Sequence, residues 1–283
     1  MSDVMELMIK SASAELFTTI YPKENAETVF LLHGGPGVPM DFSPLIDKFV
    51  VKYQVIVFEQ RGTGRSSANG AAFSVDEYLG DIDAIAKHFG LTEFHLFGHS
   101  WGGLYAQIYT EKNRSRILSL FLSSPSSGTG EIWKETESEV MSFNKEHSGF
   151  WGWSMMGVKS LLGIFGSDMA YQSLFKQVFE NYIKEFDPSF VATDAMVQNV
   201  RAKPINKTRS HLLKYPLLKN GMDYRFPTMI AYGQFDIYGA SKKHVKKRFP
   251  NATFIEYENA GHIAWMQNKD EFIDSLISFY KMR

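Results

Sequence analysis

The sequence predicts an α/β protein: a doubly wound, mostly parallel sheet, interrupted once by an inserted helical cap. Three observations predict it. Short β-rich apolar runs alternate with helical stretches through residues 1–128 and again over 225–283. The run Gln54-Val55-Ile56-Val57-Phe58 is too apolar to face water on either side, as expected of a strand covered on both faces. Between 129 and 224 the rhythm gives way to a mostly helical pattern with no strand of comparable strength. The expected organisation is a core in two parts, 1–128 and 225–283, with a helical cap at 129–224.

Taken in order, Glu15–Tyr21 and Thr28–Leu32 read as strands, the second ending in His33-Gly34-Gly35-Pro36-Gly37. Phe42–Phe49 reads as a short helix and Tyr53–Phe58 as a strand. Ser74 is an N-cap, and Glu77 three residues on completes a capping box. Leu79, Ile82, Ile85, Ala86 and Phe89 form the buried stripe of that helix, and Gly90 ends it. Phe94–Phe97 is a strand, a helical run starts at Leu104, and Ile117–Leu122 is the next strand. Within the cap, Phe150-Trp151-Gly152-Trp153 and Met155-Met156 interrupt the helical pattern. Pro227–Tyr232 and Ala252–Tyr257 are strands; Ser241–Phe249 and Glu271–Tyr280 are helices.

A chain of 283 residues holds one large α/β domain, or a core with an insertion. Its net charge of −1 gives no reason to expect nucleic acid or an anionic membrane as partner. There is no cysteine, which excludes disulfides, thiolate metal sites and a cysteine nucleophile, and fits a reducing cytoplasm. The start, MSDVMELMIK, lacks the basic and apolar regions of a signal peptide, and no run approaches a membrane span. A cytoplasmic location is expected; the oligomeric state is not legible.

The chemistry concentrates at Gly98-His99-Ser100-Trp101-Gly102, a G-x-S-x-G pattern between a strand and a helix. A bend this sharp needs glycine on both sides, and it lifts the serine hydroxyl above the strand ends. A serine needs a base. Of eight histidines, His262 follows the last strand, where the order Ser…acid…His places the base. His33 and His99 are expected to be structural. His88, His95, His147, His211 and His244 are expected to be solvated or satisfied. Asp236 precedes His262 and follows a strand, which suits the acid that orients the imidazole. Glu256, Glu258 and Asp223 are weaker candidates by position. The oxyanion needs preorganised donors, and the N–H groups of Trp101 and Gly35 are the expected pair. Arg61-Gly62-Thr63-Gly64-Arg65-Ser66 lacks the Gly-Lys-Ser/Thr ending of a P-loop and reads as a structural loop. No cluster has metal-ligand spacing, so neither metal nor cofactor is expected.

These residues resemble the α/β-hydrolase superfamily over nearly the whole chain, and more narrowly the proline iminopeptidase family of serine peptidases. His33-Gly34-Gly35-Pro36-Gly37 matches that family's HGGPG loop. Glu59-Gln60-Arg61-Gly62-Thr63-Gly64-Arg65-Ser66 is close to DQRGxGxS, and Gly98-His99-Ser100-Trp101-Gly102-Gly103 resembles GGSWGG. The resemblance implies Ser100, Asp236 and His262 as the triad of an aminopeptidase that releases N-terminal residues, often proline, from short peptides without a cofactor. One departure bears on substrate. Such an enzyme holds a free α-amine with acids in or near the cap. Here Ile237 follows the acid, and 201–222 contains six basic residues and no acidic one. Glu131, Glu135, Glu137, Glu139, Glu146, Glu180 and Glu185 remain as candidates. Carboxylesterase, lactonase or other amide hydrolase activity is the alternative, and a non-catalytic receptor on the same fold is a third reading. Trp133, Trp151 and Trp153, with Phe150, Met155 and Met156, are candidates for an apolar acyl pocket or for the cap's own core.

Overall fold

A computed structural model describes residues 4–70 and 72–282. Met1–Asp3, which carry part of the reading of the N-terminus, lie outside the described residues. The strands are β1 (Met5–Lys10), β2 (Glu15–Tyr21), β3 (Thr28–Leu32), β4 (Gln54–Phe58), β5 (Phe94–His99), β6 (Ile117–Ser123), β7 (Thr228–Gly233) and β8 (Thr253–Tyr257). They form one sheet in the order β1-β2-β4-β3-β5-β6-β7-β8. Pairing is antiparallel from β1 to β2 and from β2 to β4, and parallel from β4 through β8.

β3, β5 and β7 are buried at every position, which requires layers on both faces of the sheet. Those layers include α1 (Ser43–Phe49), α2 (Val75–His88) and α3 (Trp101–Lys112). Ser74 Oγ accepts the Glu77 N–H and Glu77 returns a carboxylate oxygen to the Ser74 N–H, so α2 starts with the expected capping box. β1 was not anticipated. Met5-Glu6-Leu7-Met8-Ile9-Lys10 lacks a β-branched run and is mostly exposed; it holds its place by pairing with β2 at the sheet edge.

Four helices lie between β6 and β7: α4 (Glu131–Ile164), α5 (Asp168–Ile183), α6 (Asp194–Val197) and α7 (Ala202–Leu212). Phe150–Met156 does not interrupt the helical pattern, as the sequence suggested. Those residues are helical, and the break falls just before them at Gly149, at φ 63° and ψ 175°. The chain closes with α8 (Lys242–Arg248), α9 (Ala264–Gln267) and α10 (Lys269–Tyr280). Among the described residues no helix is long and apolar enough to cross a membrane.

The strand order decides where a site belongs. β3 and β5 are neighbours, but the chain leaves β3 toward β4 and leaves β5 toward β6. This is the sheet's switch point, where connections diverge and open a crevice beyond the carboxyl ends of the strands. The His33–Gly37 loop leaves β3 there, and Ser100 follows β5.

Candidate active site

β5 runs to His99 and α3 begins at Trp101, three residues earlier than the apolar pattern suggested. Ser100 is the entire turn. Its φ of 55° and ψ of −120° lie in a region that glycine favours, at a cost of roughly 1–3 kcal/mol for another residue. The neighbouring glycines are there for close approach. A Cβ on Gly98 would fall on the Gly102 carbonyl, and one on Gly102 on the Leu32 carbonyl. A Cβ on Gly103 would lie 2.6 Å from Pro125 Cβ. The elbow is thus packed directly against β3 and the loop after β6.

His262 lies in the loop after β8, with its Nδ1 3.1 Å from Asp236 Oδ1 in the loop after β7. Both side chains are buried. Burial alone pushes the Asp236 carboxyl up, but the adjacent His262, with Lys242 and Ser124, outweighs it and the pKa falls below the usual carboxylate value. The Tyr238 N–H also donates to Asp236 Oδ1, at 3.1 Å. The imidazole of His262 meets Tyr182, Tyr238 and His99 at ring-centroid separations of 5.3, 5.2 and 4.8 Å. Ser100 Oγ lies 3.2 Å from the Tyr238 hydroxyl, which lies 2.7 Å from Ser126 Oγ. Burial pushes that phenol up to about 12, so it is protonated at neutral pH. No hydrogen bond joins Ser100 to His262 among the described residues; the serine hydroxyl is turned to Tyr238 instead.

Gly34 and Gly35 line the same cavity as Ser100. A Cβ on Gly34 would sit 3.3 Å from Ser100 Cβ, and Gly35 has φ 117°, so neither position suits a side chain. Trp101 supplies the first N–H of α3, one of the free donors at a helix start.

One residue ties these parts together. Gln60 donates its backbone N–H to His33 Nε2 at 3.1 Å and its side-chain N–H to the His33 carbonyl at 2.8 Å. Its Oε1 accepts the Trp101 indole N–H at 2.7 Å. The oxyanion-loop candidate and the elbow therefore share one amide. His33 is structural, as expected. Its Nδ1 is 2.7 Å from the Gly34 carbonyl, so the pattern assigns the proton to Nδ1 and leaves Nε2 as acceptor. Burial lowers its pKa to about 4 from 6.5. The unfolded imidazole binds a proton below about 6.5, whereas the folded one resists until about 4. Stability is therefore full above the upper value and falls as pH drops through this window, by up to about 3 kcal/mol from this residue. Urea unfolding from pH 7 to 4 shows this slope, and His33→Asn makes it shallower whatever its absolute stability. An unchanged slope removes His33 from the acid response.

The cavity measures about 620 Å3. Its floor includes Gly34, Ser100 and His262; its walls include Val140, Phe175, Val178 and Tyr182 from the inserted helices. Glu137 is the sole carboxylate among the lining residues. It accepts Arg209 Nε at 2.6 Å, Arg209 Nη2 at 2.8 Å and the Trp133 indole N–H at 2.8 Å. Trp133 thus reaches the cavity wall. Trp151 and Trp153 do not: Trp151 is 79 % exposed and Trp153 packs against the core, because α4 turns at Gly149 and carries them away. Tyr238 and Gln60 were not singled out in the sequence. Nothing in Gly233-Gln234-Phe235-Asp236-Ile237-Tyr238 marks the tyrosine, and the partners of Gln60 are 27 and 41 residues away. Of the other histidines, His95 meets Ser119 and Glu27, and His244 meets Glu135. Among the described residues no group of three or more His, Asp or Glu is placed to hold a metal ion.

Comparisons with known proteins agree with this architecture. A family model described as alpha/beta hydrolase fold matches residues 27–269. A proline iminopeptidase of Clostridioides difficile (strain 630) is 23 % identical over 271 residues, covering 89 % of each chain. Among solved structures, VinJ superposes with a TM-score of 0.73 at 15 % identity, covering 98 % of each chain. The enol-lactonase from Burkholderia xenovorans LB400 superposes with a TM-score of 0.67 at 15 % identity, covering 97 % of this chain and all of the other. The match to the family model spans β3 to β8, the serine elbow and the inserted helices together, and the chain belongs to the alpha/beta hydrolase fold family.

Proposed function

We propose that the protein is a serine hydrolase, acting as a proline-iminopeptidase-like aminopeptidase. The observation that carries the reading is the strained Ser100 on the floor of a cavity that also holds the buried His262–Asp236 pair. Ser100 Oγ turns from Tyr238 to His262 Nε2, which takes its proton as the oxygen attacks the substrate carbonyl carbon. Asp236 fixes the tautomer by holding Nδ1 and stabilises the imidazolium. The oxyanion is held by the N–H groups of Gly35 and Trp101. Collapse breaks the acyl bond, the leaving group takes the proton from His262, and water repeats the sequence to free the acid. The inserted helices serve as the cap over this cavity.

Two features support a free amine at the substrate. The curated relative is a proline iminopeptidase, and Glu137 places a carboxylate in the wall. Arg209 now holds that carboxylate, but Arg209 is 53 % exposed at its side chain. The pair is a two-bond fork, but it is open to solvent on the Arg209 side, so a substrate ammonium can compete for the Glu137 oxygens. A second reading, hydrolysis of an ester or lactone with a neutral acyl group, is favoured by the same pair if Arg209 stays in place, since the rest of the wall is largely apolar. The test compares kcat/KM for a prolyl arylamide, its N-acetyl form and a short p-nitrophenyl ester, with Ser100→Ala as blank. The aminopeptidase reading expects preference for the free amine, lost on acetylation and reduced at least roughly tenfold in Glu137→Gln, with ester turnover spared. Ester turnover alone, indifferent to Glu137, selects the second reading.

Tyr238 gives an independent check. Its hydroxyl competes with His262 for Ser100, and one hydrogen bond is worth about 1 kcal/mol. Tyr238→Phe therefore raises the rate of fluorophosphonate labelling at Ser100 by roughly fivefold. A slower reaction means that Tyr238 assists the attack instead of holding the serine at rest.

A further inference from the structure

We infer that the second half of α4, residues 150–164, docks the protein on an anionic lipid surface. Helices of globular proteins turn their apolar stripe inward. This segment turns it outward. Trp151, Met155, Val158, Leu162 and Phe165 recur at spacings of four and three, and each is more than half exposed. Phe165 and Trp151 are 82 % and 79 % exposed. The inward face is narrow by comparison: Met156 and Gly163 are its buried residues, and a Cβ on Gly163 would fall on the Tyr171 ring. From 147 to 167 the sequence contains no acid and one lysine. A row of large aromatic and aliphatic side chains on a short helix with a basic neighbour is the composition of an interfacial segment.

The basic neighbour is α7. Asn206 donates its side-chain N–H to the carbonyls of Gly163 and Ile164 at 2.9 and 3.2 Å, and accepts the Tyr171 hydroxyl at 2.8 Å. Lys203 and Lys207 flank Asn206 one turn apart, and both are exposed. Asp168, the next acid along the chain, is occupied by the Ala202 N–H at 2.7 Å, with Arg201 3.9 Å away. The end of the apolar row is therefore tied to a helix that carries two exposed lysines with no ion pair among the described residues, Lys203 reaching over the Phe73 ring and Lys207 next to Asn206 in the chain. Anionic headgroups suit that edge. A second copy suits it less, because a two-fold contact through this face brings like charges together. The net charge of −1, from which no membrane partner is expected, averages over the chain and conceals this edge.

The same segment borders the cavity, to whose wall it contributes Ser160 and Ile164. A protein seated on lipid by this face has the rim of its cavity at the surface. The inference rests on the exposed face and its charges, not on which acyl group Ser100 attacks.

The experiment is co-sedimentation of the full chain with vesicles of phosphatidylcholine, alone or mixed with phosphatidylglycerol. Partitioning is expected on the mixed vesicles and weakens as salt is raised. It falls roughly fivefold for each lysine charge removed in Lys203→Gln/Lys207→Gln. It disappears in the triple variant Phe150→Ser/Trp151→Ser/Phe165→Ser, whose turnover of a soluble p-nitrophenyl ester and cooperative unfolding stay at wild-type level. Equal binding to both vesicle types, or binding indifferent to the lysines, overturns the anionic-lipid assignment. So does absence of binding. If sedimentation velocity then shows a dimer that the triple variant dissolves, a second copy covers the face. Loss of ester turnover on Ser100→Ala with no vesicle binding separates a working hydrolase from a failed docking surface.

Discussion

Replacing Ser100 by alanine lowers kcat/KM for every hydrolysed substrate by at least roughly 10^4-fold, leaving a folded protein with the background of an occupied but unreactive cavity. Every covalent step proposed here passes through Oγ, and no other hydroxyl lies on the same elbow. Substantial remaining turnover sinks the assignment. A companion substitution tests the turn itself. Ser100 sits at φ 55° and ψ −120°, a conformation that glycine adopts without a steric penalty. Ser100→Gly therefore loses activity and gains stability, with Tm rising by roughly 2–4 °C for each kcal/mol of strain relieved. A glycine variant that melts earlier than wild type means the strain is offset locally.

The largest loss of stability is expected far from any substrate. Asp81→Ala removes the partner of Arg61, whose side chain is fully buried. Arg61 uses all of its donor directions: Nε and Nη2 reach the two Asp81 oxygens at 2.9 and 2.7 Å, Nη1 reaches Ala72 O and Ser13 Oγ, and Nη2 also reaches Glu77 O. Leaving that cation buried with only the more distant Glu77 carboxylate, 3.7 Å from Nη1, as counter-charge costs up to about 3–5 kcal/mol. Urea denaturation measures it. The double variant Asp81→Ala/Arg61→Met recovers part of the loss, because the charge leaves with its partner. A single-variant cost below about 1 kcal/mol means that water or another carboxylate compensates. Because Arg61 follows Gln60, the same substitution also loosens the amide that joins the His33 loop to Trp101, and kcat falls with stability.

The sequence was most informative where a pattern is short and the geometry severe. Gly98, Gly102 and Gly103 are required by backbone contacts, so the elbow was legible from residue types alone. The Ser74–Glu77 box and the apolar β3, β4 and β5 follow from local rules of the same kind. What stayed hidden depends on pairing through space. Glu137 was one acid among seven until Arg209, 72 residues away, was found holding it against the cavity. Tyr238 belongs to the site because β7 delivers it beside Ser100, 138 residues earlier in the chain. The second half of α4 misled for the opposite reason: an apolar stripe at helical spacing signals burial, and here it is exposed.

The placement of the inserted helices has an evolutionary consequence. The chain leaves the sheet at Ser123 and re-enters at Thr228, and β6 and β7 are hydrogen-bonded neighbours in which Ser123 pairs with Ala231. Both ends of the insertion are therefore fixed by the sheet whatever lies between them. Loop closure costs little more as a segment grows, about 0.6 kcal/mol for each doubling of its length. The insertion is thus an interchangeable module. A lineage can exchange the cavity walls that the insertion supplies, while Ser100, Asp236 and His262 stay at the carboxyl ends of β5, β7 and β8, which the exchange does not move. Chemistry and selectivity are free to evolve at different rates within one chain.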